Sequence, residues 1–191
     1  MQKITLDEIS GAERYEKIRD EFRRRIIELK KDRRLSVGDY ITFVFENRET
    51  ILFQIQEMLR AERITDIDKI RFEVDIYNDL IPGDGELSST MLIEITEQDR
   101  IRPELVKLIG IDTAVSLQIG NHIVVPALFE GGRSTEDNLS AVQYVRFALS
   151  SEAQAAFRDE QNEVCLVINH PNYQAQAVFP PSMQRSLAAE L

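Results

Sequence analysis

Residues 77–95, YNDLIPGDGELSSTMLIEI, decide the fold because a helical pattern ends and a strand pattern begins within them. Upstream, a helix capped by Asp66 is predicted from apolar residues at helical spacing, namely Ile67, Ile70, Val74, Tyr77 and Ile81. Pro82-Gly83-Asp84-Gly85 ends that helix sharply. Downstream, short apolar runs alternate with turn residues. The sequence therefore predicts an α+β fold with a helix-rich half, residues 1–85, and a strand-rich half, residues 86–191.

Five apolar runs in the strand-rich half are predicted to be strands. They occupy residues 87–95, 114–119, 122–129, 141–149 and 164–169. Strands of this length and spacing are typical of an antiparallel sheet curled into a small barrel or a sandwich. Short helices are predicted over residues 99–109 and 151–160, and Ser182 is predicted to cap a last helix. The polar, glycine-containing residues 131–138 are predicted to form a mobile flap.

The helix-rich half begins with a long amphipathic helix, predicted over residues 12–34. Its apolar residues recur every three or four positions, as Tyr15, Ile18, Phe22, Ile26 and Leu29. Residues 40–45, YITFVF, predict a strand, and a turn after them is interpreted as leading into a second strand, residues 50–54, to form a β-hairpin. Another helix is predicted to about residue 64. Because no linker separates the two halves, residues 1–191 are predicted to be a single domain.

The composition limits the classes to which this protein can belong. The chain has 191 residues, of which 43% are hydrophobic and 29% are charged, as in ordinary globular proteins. Its one cysteine, Cys165, excludes an intrachain disulfide and is predicted to be a buried residue on a strand. No secretory signal is visible, and the longest uncharged apolar run, residues 123–129, is too short for a membrane helix. We therefore predict a cytoplasmic protein without membrane association.

The net charge of −10 is distributed unevenly along the chain. Residues 1–34 contain 11 Lys and Arg against 8 Asp and Glu, whereas residues 35–191 contain 12 against 25. The acidic body would repel phosphates, and the basic residues of the N-terminal helix are interleaved with carboxylates. We therefore predict no nucleic-acid partner.

The sequence lacks the standard signatures of catalysis and of metal binding. It contains no GxxxxGK[ST], no GxGxxG after a strand, no GxSxG and no HExxH, which argues against a familiar nucleotide enzyme or hydrolase. Two histidines and one cysteine are too few for a structural zinc site, and the Glu-x-x-His pairs of di-iron bundles are absent. We predict no metal and no cofactor, and these patterns leave open whether the protein is an enzyme.

The first candidate ligand-binding group is His170, Asn172 and Tyr173, which follow a predicted buried strand. A histidine at the end of a strand, fixed by Pro171 and flanked by amide and phenol groups, is suited to act as an acid, a base or a ligand near neutral pH. In the alternative interpretation, His170 and Asn172 hydrogen-bond the turn and Tyr173 covers the edge of the core.

A second candidate group surrounds Glu57 and Arg60. Charged residues between apolar ones, here Arg48, Glu57, Arg60 and Glu62, usually form structural ion pairs. Alternatively, the planar guanidinium of Arg60 receives a carboxylate or phosphate. If both groups converge at the mouth of the barrel, His170, Tyr173, Arg60 and Glu57 define one concave site.

Arg23, Arg24 and Arg25 form the third candidate site, a docking surface for an acidic partner on the N-terminal helix. The alternative is a salt-bridged helix surface, since opposite charges four positions apart recur along this helix. The apolar stripe of the helix also favours a homodimer, although the same stripe is equally suited to pack on its own chain.

Several longer strings resemble a bacterial family of proteins known as domain of unknown function 3501. They are ITLDEI at 4–9, YEKIR at 15–19, FENRET at 45–50, FQIQEMLRAE at 53–62, YNDLIPGDGELS at 77–88 and HPNY at 170–173. One departure is Asp20, where the resemblance leads us to expect proline. The family has no activity that can be assigned to residues here. The resemblance implies a gene that is encoded beside rubrerythrin-like and iron–sulfur oxidoreductase proteins, as in this family, and hence a role in a redox or peroxide-handling system.

These observations support two hypotheses about function. The first is an accessory or binding protein for a rubrerythrin-like or iron–sulfur redox partner. The alternative is a small-ligand-binding protein or enzyme with a site near His170 at the mouth of the β-barrel.

Overall fold

The computed structural model describes residues 1–132 and 139–191. Its helix-rich half contains a short 3-10 helix (Leu6–Glu8), α1 (Ala12–Lys31), β1 (Arg34–Val37), β2 (Ile41–Glu46), α2 (Arg48–Ala61) and α3 (Ile67–Asn78). The strand-rich half contains β3 (Glu86–Ile93), α4 (Ile101–Lys107), a 3-10 helix (Ile111–Thr113), β4 (Val115–Ile119), β5 (Ile123–Pro126), β6 (Leu128–Phe129), β7 (Val142–Ala148), α5 (Ser151–Arg158), β8 (Val164–His170), β9 (Tyr173–Val178) and α6 (Pro181–Ala188). The predicted α+β class is confirmed.

The strands form two antiparallel sheets. The first has the order β1-β2-β3-β7-β6, and the second has the order β5-β4-β8-β9. Among the described residues neither sheet closes on itself, and β1 at the edge of the first sheet lies beside β9 of the second. The strands therefore form a sandwich of open sheets and not a closed barrel, and β1 and β2 of the helix-rich half belong to its first sheet.

The main core lies between the two sheets. Alternation along β2 directs Ile41, Phe43 and Phe45 into this core, where they meet residues of both sheets. The ring of Phe45 lies 5.4 Å from that of Phe179 and 6.3 Å from that of Phe147, measured between centroids. These apolar contacts fix the position of the first sheet, on whose other face the helices pack.

A smaller apolar cluster lies on the outer side of the first sheet. Ile51, Ile55 and Leu59 of α2 pack there with Val74 of α3 and with Ile4. Tyr144 of β7 packs against the same cluster from the sheet. Because α2 contacts β2 on this side, all six residues of β2 are buried. We call this region, residues 1–31 together with α2 and α3, the helical corner.

The predicted strand over residues 50–54 is wrong, since these residues belong to α2. Asn47 caps the helix: its side chain accepts a hydrogen bond from the N–H of Thr50, whose hydroxyl accepts one from the N–H of Asn47. The hairpin is instead formed by β1 and β2, with Gly38 at φ +73° in the turn. The sequence prediction missed the reciprocal cap that Asn47 and Thr50 form at the start of α2.

Three smaller differences follow from local chemistry. The N-terminal helix ends at Lys31 and not at residue 34, because Arg34 already pairs with Val44 in the first sheet. The last helix is preceded by Pro180 and begins at Pro181, so Ser182 is not its cap. Strand β9 was not predicted, because its half-buried positions are alanines. The predicted flap lies mostly in residues 133–138, outside the described residues.

None of the helices in the described part of the chain combines the length and the apolar character that crossing a membrane requires.

Candidate functional site

A cavity of about 200 Å³ lies in the helical corner, between the N-terminal end of α1 and the C-terminal end of α2. Its other walls are the 3-10 helix Leu6–Glu8, the loop between α2 and α3, and the first turns of α3. The lining is mostly apolar and includes Leu6, Ile9, Tyr15, Leu59, Ile64 and Ile70. Its polar residues are Ser10, Gln56, Arg60 and Thr65. The composition is that of small-molecule sites, which combine apolar walls with few polar groups.

One wall of the cavity is held in place by Gln56. The Gln56 side chain is buried; its Oε1 accepts a hydrogen bond from the N–H of Ser10 at 2.8 Å, and its Nε2 donates one to the carbonyl of Ser10 at 3.3 Å. The side chain of Gln56 thus pairs both the N–H and the carbonyl of Ser10. These two bonds hold the segment before α1 against α2, although this segment belongs to neither sheet.

Arg60 stands where this cavity adjoins a second depression lined by Glu16 and Arg63. Its Nε donates to Oε1 of Glu16 at 2.5 Å. Within the described part of the chain, its two terminal amino groups donate to no partner. Arg63 adopts φ +54° directly after α2, a left-handed conformation for which glycine is the usual residue.

Glu57 belongs to an internal network behind the cavity. Arg19 binds both carboxylate oxygens of Glu57, at 2.7 and 2.8 Å, and the hydroxyl of Tyr15 donates to one of them at 2.8 Å. The guanidinium of Arg19 lowers the pKa of Glu57, whereas burial and the bond to Glu57 raise the pKa of Tyr15. The network therefore joins α1 to α2 with Glu57 ionised.

No side chain in the described part of the chain caps the N-terminal end of α1. Gly11 occupies the cap position and lines the cavity together with Ala12. Within the described residues, no acceptor receives the N–H groups of residues 11–14. The first free N–H groups of a helix favour negative charge nearby.

His170, Asn172 and Tyr173 are brought together at the turn between β8 and β9. The Nδ1 of His170 accepts a hydrogen bond from the N–H of Asn172 at 3.2 Å, so its Nε2 carries the proton and donates to the carbonyl of Ile109 at 3.0 Å. The amide of Asn172 donates to the carbonyl of Lys107 at 2.8 Å. Both ring nitrogens are thus engaged by backbone groups.

Tyr173 ties the same turn to the first sheet. Its hydroxyl donates to the carbonyl of Val37 at 2.7 Å, and burial raises its pKa. A Cβ at Gly38 would lie 2.4 Å from this hydroxyl, which explains glycine in the β1–β2 turn. Tyr173 belongs to the sandwich core, whereas α2, with Glu57 and Arg60, packs on the other side of the first sheet. The structure therefore places the two predicted groups in different regions.

Arg23, Arg24 and Arg25 differ in their surroundings. Arg25 binds Glu49 of α2 through its Nη2 at 2.7 Å, as expected for a salt-bridged surface. Arg23 and Arg24 are exposed and form no ion pair with the described residues. Ile27, one turn further along α1, is 48% exposed beside them. We call Arg23, Arg24 and Ile27 the arginine face.

The sequence interpretation missed Ser10, Gln56, Ile64 and Thr65 as cavity residues. The string FQIQEMLRAE places Gln56 and Arg60 four positions apart on one side of a helix, which was the available signal. Nothing local indicates that residues 6–12 pack against them. In the described part of the chain, no cluster of His, Cys, Asp and Glu is suited to hold a metal ion.

These features define an α+β protein in which two open antiparallel sheets support a helical corner with a small, preformed cavity. The chain belongs to the family described as protein of unknown function (DUF3501), whose pattern matches residues 3–191. It is also similar to a crystal structure of a novel protein of unknown function from Burkholderia pseudomallei K96243, with 33% identity, a TM-score of 0.93 and complete coverage of both chains. No curated protein matches the chain.

Proposed function

We propose that this protein is a cytoplasmic accessory protein that binds an acidic surface of a redox partner through the arginine face. The observation that supports this proposal is the contrast among three consecutive arginines. Arg25 is bound within the chain, whereas Arg23 and Arg24 are exposed without ion-pair partners. The redox class of the partner, rubrerythrin-like or iron–sulfur, rests on the family resemblance.

Charge complementarity defines the chemistry of this partner. The chain has a net charge of −10, so most of its surface repels acidic proteins. The arginine face offers two exposed guanidinium groups that form no ion pair with the described residues, although the exposed carboxylates of α1 lie nearby, and Ile27 adds an apolar side chain to it. Arginine is enriched at protein interfaces and among their hot spots, and the buried centre of an interface is apolar.

The experiment is affinity capture of the tagged full chain from its native host, prepared anaerobically at low and at high salt. The double variant Arg23→Glu/Arg24→Glu is compared with Arg102→Glu, since Arg102 of α4 is also exposed and forms no ion pair with described residues. We expect one redox protein in stoichiometric amount with the wild type and with Arg102→Glu, released by salt and lost in the double variant. Equal capture by the double variant, or no redox protein with the wild type, contradicts the proposal.

The predicted homodimer remains a prediction. Much of the apolar stripe of α1 packs on its own chain: Tyr15 and Ile26 are buried, and the Phe22 ring lies 5.3 Å from that of Phe53. Ile18 and Ile27 stay exposed. The molar mass in solution, measured by light scattering for wild type and for Ile18→Gln, distinguishes a dimer that uses this stripe from a monomer.

The ligand site predicted near His170 also remains a prediction. Since both ring nitrogens are engaged by backbone groups, a ligand there would have to displace the Asn172 N–H or the Ile109 carbonyl. Loss of the hydrogen-bonded ring-proton signal of His170 on addition of a ligand would support this site.

A further inference from the structure

We propose that the cavity of the helical corner is a binding site for a small organic carboxylate with an apolar body. This site is separate from the arginine face and does not depend on the proposed function. The size, the lining and the charge at the mouth of the cavity support the assignment.

The volume and the walls define the apolar body of the ligand. A cavity of about 150 Å³ lined by aliphatic and aromatic residues is enough to bind benzene. At about 200 Å³, this cavity has room for a six-membered ring, or a short alkyl chain, together with a polar head. It is smaller than the ~300–1,000 Å³ sites that hold drug-sized molecules. Its apolar residues come from the segment before α1 and from α1, α2 and α3, so the ligand is enclosed from several sides.

The guanidinium of Arg60 determines the polar group of the ligand, which we assign as a carboxylate. Its Nε is occupied by Glu16, which fixes the plane of the guanidinium and leaves both terminal amino groups as donors. A planar fork with two free N–H groups matches a carboxylate. The charged residues that line the cavity and the adjoining depression are Arg60, Arg63 and Glu16, so the balance at the mouth is positive.

The walls of the cavity are preorganised by hydrogen bonds within the chain. Gln56 holds Ser10, and the Arg19–Glu57–Tyr15 network fixes α1 against α2 behind the cavity. A site that is already ordered loses little conformational entropy on binding. The free N–H groups of the first turn of α1 add donors beside Arg60, but they are secondary to the apolar volume and the arginine.

The test uses benzoate and benzamide, which have the same size and differ in charge. Binding to the full chain is followed by amide chemical shifts at neutral pH and constant ionic strength. We expect benzoate to shift the amide signals of Ser10, Gly11, Ala12 and Arg60 saturably, and benzamide to bind about tenfold more weakly.

Three variants separate the charge interaction from the apolar volume of the cavity. Arg60→Gln is expected to weaken benzoate binding about tenfold. Arg185→Gln removes a similar exposed ion pair, that with Glu160 of the α5–β8 loop, and is expected to bind benzoate like the wild type. Ile64→Phe fills part of the cavity and is expected to weaken benzoate binding with Arg60 intact. Equal affinity for benzoate and benzamide, saturable shifts elsewhere only, or unchanged binding by Arg60→Gln overturns the proposal.

Discussion

The two sides of the first sheet are stabilised by different kinds of contact. On its inner side, the sheet packs against the second sheet through buried aliphatic residues and phenylalanine rings. On its outer side, the helical corner combines a small apolar cluster with side chains that bind backbone groups or carboxylates, among them Gln56, Asn78 and Arg48. The cavity lies on this second side. The comparison suggests that the sandwich provides global stability and that the polar contacts shape the site.

The largest effect is expected in the sandwich. Phe147 is fully buried and packs against Phe45, so Phe147→Ala should lower the free energy of unfolding by about 3–5 kcal/mol. Chemical denaturation measures this loss. The matched control is Phe72→Ala on α3, where the side chain is 63% exposed and the change should stay within about 0.5 kcal/mol. A similar loss in both variants would mean that the cost of Phe147→Ala does not come from its burial in the sandwich.

A smaller loss is expected for a polar contact of the helical corner. Asn78 is buried, and its amide donates to the carbonyl of Ile4 at 2.9 Å and accepts from the N–H of Ile4 at 2.8 Å. Asn78→Ala leaves both groups unpaired, which costs about 1–3 kcal/mol. Hydrogen exchange should accelerate at Ile4 while β3 and β8 stay protected. Asn169→Ala, at an exposed position of β8, is the control, and faster exchange in both strands of the Asn78 variant would contradict local loosening.

Acid should weaken the contact that Glu8 makes with Arg48 in the helical corner. Hydrogen bonds from Arg48 and the N–H of Thr5 lower the pKa of Glu8 to about 2, below the value of an unfolded chain. Because this folded pKa is lowered, the contribution to stability is complete above about pH 5 and is lost as the pH falls toward 2. Unfolding free energies between pH 6 and 2.5 should vary less in Glu8→Gln than in the wild type. Glu163→Gln removes an exposed carboxylate that forms no ion pair with the described residues, and it should keep the wild-type slope.

The smallest effect is expected for Arg60. The Arg60 side chain is 41% exposed and its pair with Glu16 is open to solvent, so Arg60→Gln should change the free energy of unfolding by less than about 0.5 kcal/mol. Thermal and chemical denaturation check this value. A loss above 1 kcal/mol would mean that Arg60 stabilises the fold, and its effect on benzoate binding would then need the Arg60→Lys variant for interpretation.

The sandwich was the more predictable of the two sides. Alternation and β-branched composition indicated β2, β3, β4, β7 and β8, because a strand with one or two buried faces shows its environment in its own residues. The prediction failed at residues 50–54, where an apolar run fits a strand and a buried helix equally well. The reciprocal cap formed by Asn47 and Thr50 decided for the helix. Small side chains, such as Ala175 and Ala177, gave β9 too weak a pattern.

The cavity was not predictable, because its walls are distant in sequence and meet only through side-chain contacts. The chemistry of Arg60 indicates a receptor for a carboxylate or phosphate only as the alternative to a structural ion pair, and the sequence joins Arg60 to His170 only if the two groups converge. The first sheet separates the His170 group from Glu57 and Arg60. The periodicity of residues within one segment does not indicate how distant segments pack against each other. The bond between Gln56 and Ser10 spans 46 residues, and neither residue has an unusual local context.

The contact between Asn78 and Ile4 also has a consequence for synthesis of the chain on the ribosome. Asn78 emerges 74 residues after the segment that it holds, which corresponds to about 4–15 s at ~5–20 residues per second. During this interval Ile51, Ile55 and Leu59 of α2 are already made and can cover Ile4, but the backbone N–H and carbonyl of Ile4 still lack the side chain of Asn78. The N-terminal segment therefore gains its contacts in two stages, apolar packing on α2 first and pairing of the Ile4 backbone only when the end of α3 has been made.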